Sequence, residues 1–191
     1  MKKIFVTFLL LFAVIVGYAQ EQGHLTFRGV PIDGDLETFV GKLEKLGYKN
    51  LDIEPAPNTV VLVGEFTNKE VMVLVVSNAN KQNVWKVGVL FEASDSWDFL
   101  VSQYDYYKEL YTKKYGKPVS HTESFEKDYY KDSGQLFALS QGWVKYESFW
   151  EVDNGDIKVS IAPFEYKGTV LLEYQDKKNA EVKSQNDLDD I

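Results

Sequence analysis

The sequence predicts an α+β protein made of two αβββ-type units, with antiparallel sheet and helices packed on one face. Three observations predict it. Residues 36–46 and 97–115 carry apolar or tyrosine side chains at helical spacing. Each stretch is followed by short apolar runs separated by turn residues, the pattern of hairpins. Each helical stretch also ends on an aromatic or leucine residue followed by glycine, at Leu46-Gly47 and Tyr115-Gly116. The 191 residues are 45% hydrophobic and 26% charged, a globular composition long enough to bury a core.

The chain opens on an address. Lys2 and Lys3 precede an apolar run from Ile4 to Val16, and Gly17-Tyr18-Ala19 supplies small residues at a cleavage site. Residues 1–19 read as a secretory signal peptide cut after Ala19. The apolar run is about 20 Å long as a helix, short of a ~30 Å hydrocarbon core. A soluble periplasmic or secreted protein is therefore expected. The absence of cysteine suits a bacterial rather than a disulfide-bridging route.

The first unit, residues 20–93, begins with a short edge strand around Leu25, Phe27 and Val30, limited by Pro31. Asp35 caps a helix whose apolar face is Leu36, Phe39, Val40, Leu43 and Leu46, and Gly47 ends it. Residues 60–66, 71–76 and 84–91 read as three strands. All six residues of 71–76 are apolar, so that strand needs cover on both faces.

The second unit, residues 94–176, starts with Ser96 capping a helix over 97–115, stopped by Gly116 and Pro118. An insertion of about a dozen residues follows, with a short strand and a short helix near 135–141. Residues 143–152 and 156–162 form a hairpin around Asp153-Asn154-Gly155, and 169–174 is the last strand. The matching order suggests an internal repeat. Residues 177–191 read as a flexible acidic tail, either a frayed helix or disorder.

The run Phe27-Arg28-Gly29-Val30-Pro31-Ile32-Asp33-Gly34, leading into Leu36, Phe39 and Leu43, carries a resemblance. So do Lys145-Tyr146, Asp153-Asn154-Gly155-Asp156-Ile157 and Leu172-Glu173-Tyr174-Gln175-Asp176. Over most of the mature chain they resemble small secreted proteins of unknown function from Bacteroides-type gut bacteria. The layout is also similar to β-lactamase-inhibitor-like folds. These likenesses imply export and an antiparallel sheet and transfer no functional residue, because fold does not carry function.

Chemistry is sparse. The formal charge is −8, from 21 Lys+Arg against 29 Asp+Glu, which excludes a basic nucleic-acid footprint. There is no P-loop, dinucleotide fingerprint or nucleophile elbow, so no cofactor is expected. His24 and His121 are the only histidines, too few for a convincing zinc site. Asp153-Asn154-Gly155-Asp156 lacks the distal glutamate of a calcium loop. Glu147 and Glu151 share a strand face but lie ~13 Å apart, beyond glycosidase geometry.

The aromatics are the unusual feature: 15 fall within residues 97–150. Most form core. Tyr106 lies off the tyrosine stripe of its helix and Phe149 alternates with Tyr146 and Trp150, so Tyr106, Tyr129, Tyr130 and Phe149 are the candidate binding residues. The expected function is a non-enzymatic, exported protein-binding protein with an aromatic, acidic surface. The alternatives are a carbohydrate-binding accessory protein and a hydrolase using Glu147 or His121.

Overall fold

The computed structural model describes residues 23–189; the expected signal peptide lies outside them. Arg28 and Gly29, both at positive φ, turn a small hairpin of β1 (Thr26–Phe27) and β2 (Val30–Pro31). Asp35 caps α1 (Leu36–Glu44) by accepting from the Thr38 N–H at 2.8 Å. Leu36, Phe39, Val40 and Leu43 are buried as the spacing requires. Leu46 is 45% exposed, because the helix stops at Glu44 and the chain turns before Leu46 can join the stripe.

Four strands follow α1: β3 (Lys49–Asn50), β4 (Thr59–Phe66), β5 (Lys69–Ser77) and β6 (Val84–Leu90). Four also follow α2 (Trp97–Tyr115): β7 (Ser120–Phe125), β8 (Val144–Val152), β9 (Gly155–Phe164) and β10 (Lys167–Asp176). The expectation of three strands after the first helix is thus short by one, whereas in the second set β7 is the short strand expected in the insertion. β3 is two polar residues with no alternation to announce it, and β7 reads Ser-His-Thr-Glu-Ser-Phe, a solvated edge.

All eight form one antiparallel sheet in the order β3-β4-β5-β6-β10-β9-β8-β7. The two sets of four meet where β6 pairs with β10, with Val89 opposite Leu172. The β8–β9 hairpin turns on Asp153 and Asn154, with Val152 opposite Gly155. Glycine is required at 155 by closeness: a Cβ there would lie 2.1 Å from the Gln175 carbonyl oxygen.

One face of the sheet carries Val73, Val75, Val89, Leu172, Ile157 and Trp150, all buried in one core cluster with the α1 residues. On this face Tyr111 of α2 lies against Tyr174 and Trp150. Gly168 lets the helices in, since a Cβ there would sit 2.5 Å from Leu100 Cδ1 and 3.2 Å from Leu139 Cδ2. Leu139 belongs to α3 (Gln135–Ser140), the short helix of the β7–β8 insertion.

The opposite face carries Met72, Leu74, Val76, Leu90 and Leu171, which are only half-buried. Of the cover expected over both faces of residues 71–76, one side is met: Val71, Val73 and Val75 are buried in the cluster that holds the α1 residues, while Met72, Leu74 and Val76 stay half-buried.

Residues 177–189, expected as a flexible tail, form α4 (Lys177–Asp189). Its anchor is polar, which is why apolar periodicity does not reveal it. Asp176 accepts from the Asn179 N–H at 2.9 Å and the Leu25 N–H at 2.8 Å. Asn179 Nδ2 reaches the Ile32 and Val84 carbonyls at 3.0 and 2.9 Å, tying α4 to the N-terminal hairpin and the sheet.

Candidate interaction surface

The β7–β8 insertion holds the densest exposed aromatic group. A 3-10 turn over Asp128–Lys131 carries Tyr129 and Tyr130, and α3 carries Phe137. Tyr129 contacts Tyr130 with ring centroids 4.2 Å apart, and Tyr130 lies 5.6 Å from Trp143. Phe137 meets Trp143 edge-on at 5.8 Å, and Lys127 Nζ sits 5.1 Å over the Trp143 ring. Tyr129 is 59% and Phe137 55% exposed. Leu139 and Ala138 are buried beneath, so the group rides on a fixed base. Asp128 pairs with Lys131 at 2.7 Å; that hydrogen bond and charge hold its carboxyl below the ordinary range.

The other two candidates lie elsewhere. Tyr106 projects from α2, half-exposed, its ring edge-on to buried Tyr107 at 5.1 Å. No ring contact joins it to the insertion group among the described residues. Nearby acids are partly neutralised: Asp105 pairs with Lys108 and Glu109 with Lys113, each at 2.7 Å. Phe149 stands opposite Lys158 on the helix-free face of the sheet. It lines a cavity of about 160 Å³ with Lys86, Asp156, Lys158 and Glu173. Lys86 and Lys158 both pair with Glu173. Burial opposes that carboxylate, but the two lysines outweigh it and hold its pKa below the ordinary value. Glu147 shares this face with Phe149, opposite Ser160. The structure therefore unites Tyr129 and Tyr130 and separates them from Tyr106 and Phe149.

His121 has partners that neighbouring residues in sequence do not supply. It lies opposite Ser148 in the β7–β8 ladder, and its Nδ1 is 3.0 Å from Ser148 Oγ. Its Nε2 is 3.4 Å from Glu123, whose carboxylate also accepts from Lys108 Nζ at 2.6 Å. Serine, histidine and carboxylate thus stand in the order of a nucleophile, base and orienter. However, Ser148 is fully buried under α2, and its hydroxyl also bonds the Tyr104 hydroxyl at 2.7 Å. An acyl group reaches Ser148 only if α2 moves. Burial pushes the Tyr104 phenol up to about 12, so it remains a neutral hydroxyl of the network. Burial works against the Lys108 charge as well, but Asp105 and Glu123 prevail and raise its pKa. The arrangement locks α2 to β7 and β8.

Among the described residues no three histidine or acidic groups gather as a metal site. No helix there is long and apolar enough to cross a membrane. Phe137 and Trp143 join the surface group without having been singled out in the sequence. Aromatic density signals the region, but only the turn between β7 and α3 says which rings meet. No family model, curated protein or solved structure matches the chain.

Proposed function

We propose that the chain is an exported, non-enzymatic binding protein whose contact surface is the aromatic group of the β7–β8 insertion. The single observation that carries this is the pair of exposed rings, Tyr129 and Phe137, seated on Tyr130 and Trp143 beside charged residues. Rigid aromatic side chains on a buried base bury large area at little entropic cost, the property of interface anchors. A protein partner is favoured over a sugar. A sugar platform needs open ring faces, whereas these rings tilt against one another at 32–78°.

Export rests on residues 1–19, and N-terminal sequencing of material from the host should begin near Gln20. The surface is tested by placing a photo-crosslinking phenylalanine analogue at Tyr129 or Phe137 in the host. Tyr166, 97% exposed and in no ring contact among the described residues, is the control site. Discrete adducts from Tyr129 and Phe137 but not from Tyr166 are expected. Adducts equal at all three sites, or absent from the first two, overturn the proposal.

A further inference from the structure

The central sheet is split at one end. The β5–β6 ladder stops at Met72 opposite Leu90. β5 nevertheless runs back to Lys69, still paired with β4. Beyond Leu90 the chain follows β10 instead: the Phe91 N–H donates to the Val170 carbonyl at 3.1 Å and the Ser94 N–H to Gly168 at 2.8 Å. Between the diverging segments lies a cleft of about 620 Å³. Residues 69–72 form one wall and residues 90–93 the other. Phe99 and Gln103 of α2 close the helix side, and Val63 and Phe164 flank the open side.

Two features of the cleft point to an occupant. The first is backbone polarity. The Val61 and Glu65 carbonyls point away from β5, accepting from the Leu51 N–H and the Tyr48 hydroxyl, each at 3.0 Å. Antiparallel alternation then aims the N–H and C=O of Glu70 into the cleft, as those of Met72 face β6. No backbone group of residues 91–93 bonds them.

The second is charge. Continuing the register from Met72 and Leu90 sets Glu70 against Glu92, and Glu65 is opposite Glu70 in β4. Like charges facing across a ladder disfavour pairing, a physical reason for the strands to part. The glutamates found in ion pairs are Glu54, Glu109, Glu123 and Glu173. Among the described residues, Glu65, Glu70 and Glu92 form none.

We propose that this cleft receives an extended segment of a partner protein by strand addition to β5, with the pattern apolar–basic–apolar. The backbone of the basic residue pairs with Glu70, which places its cation on the open face between Glu70 and Glu92. The flanking apolar side chains then point towards Phe91 and Phe99. A chain of net charge −8 favours such a cationic segment. The site shares no residue with the aromatic insertion and does not depend on it.

The test uses acetylated, amidated pentapeptides of sequence TLKLT and TLELT, and TLKLT methylated on the backbone nitrogen of its lysine, titrated by calorimetry. Saturable binding of TLKLT is expected. Binding of TLELT and of the methylated peptide should be about tenfold weaker or more, the worth of one charged contact or one hydrogen bond. Glu70→Lys should weaken TLKLT binding by about tenfold. Tyr129→Ala should leave TLKLT binding unchanged. No saturable binding up to about 1 mM, or equal affinity for all three peptides, overturns the proposal. Self-association through Glu70 without peptide also overturns it and assigns the cleft to a second copy.

Discussion

Replacing Asp176 by alanine tests how the C-terminal helix is held. The Asp176 side chain is 1% exposed and does two jobs at once. It caps α4 through the Asn179 N–H at 2.9 Å, and it satisfies the buried Leu25 N–H at 2.8 Å. His24 Nδ1 also lies 3.1 Å away. Loss of a helix cap costs about 0.5–2 kcal/mol. An orphaned buried N–H costs about 1–3 kcal/mol. The two add only in part, because both groups share one carboxylate, so the expected loss is about 2–4 kcal/mol. For a domain of this size that lowers Tm by roughly 5–15 °C. Urea unfolding followed by tyrosine and tryptophan fluorescence measures it. Asp176→Asn keeps an acceptor oxygen and should recover at least half of the loss. Amide exchange gives a second readout: Leu25 should lose protection in Asp176→Ala and largely keep it in Asp176→Asn. A loss below about 1 kcal/mol, or Asn as damaging as Ala, would falsify the account of Asp176 as cap and buried acceptor.

Two further outcomes follow from the sheet. Glu173→Gln should cost about 1–3 kcal/mol at neutral pH, less than a fully buried pair because Lys86 and Lys158 are partly solvated. The folded carboxyl has a pKa below its ordinary 4.5, so its stabilisation is present above that pH and is lost as pH falls through the folded value. The gap between parent and variant in urea melts should therefore close in acid, and a gap constant from pH 7 to pH 3 refutes the ion-pair reading. Gly168→Ala should destabilise by about 1–3 kcal/mol, since the added methyl meets fully buried Leu100; an unchanged melting curve contradicts the close seat of α2 on β10.

The helical spacing of Leu36, Phe39, Val40 and Leu43, and of Leu100, Tyr104, Tyr107 and Tyr111, is a local property, and both helices bury those residues. The caps at Asp35 and Ser96 act within three residues of themselves and are equally legible. Turn chemistry at Asp153-Asn154-Gly155 determined the β8–β9 hairpin for the same reason. The short polar strand β3, the polar anchoring of α4 and the joining of both halves in one sheet were not legible. Each depends on partners far away in sequence, such as Leu62 for Asn50, Leu25 for Asp176 and Val89 for Leu172.

The candidate sites divide along the same line. The chain's acidic balance, its lack of cysteine and the concentration of rings in residues 97–150 follow from composition and residue order alone. Tyr129 and Tyr130 stand among the candidates within that concentration. That Phe137 and Trp143 join them, and that His121 meets Ser148, comes from the tertiary arrangement alone, whereas the alternation along β8 already sets Phe149 on the other face from Trp150. The physical reason is that periodicity encodes which way a side chain points from its own element. What it meets there is set by the crossing of elements, and crossings are resolved by packing and by long-range hydrogen bonds rather than by any local pattern.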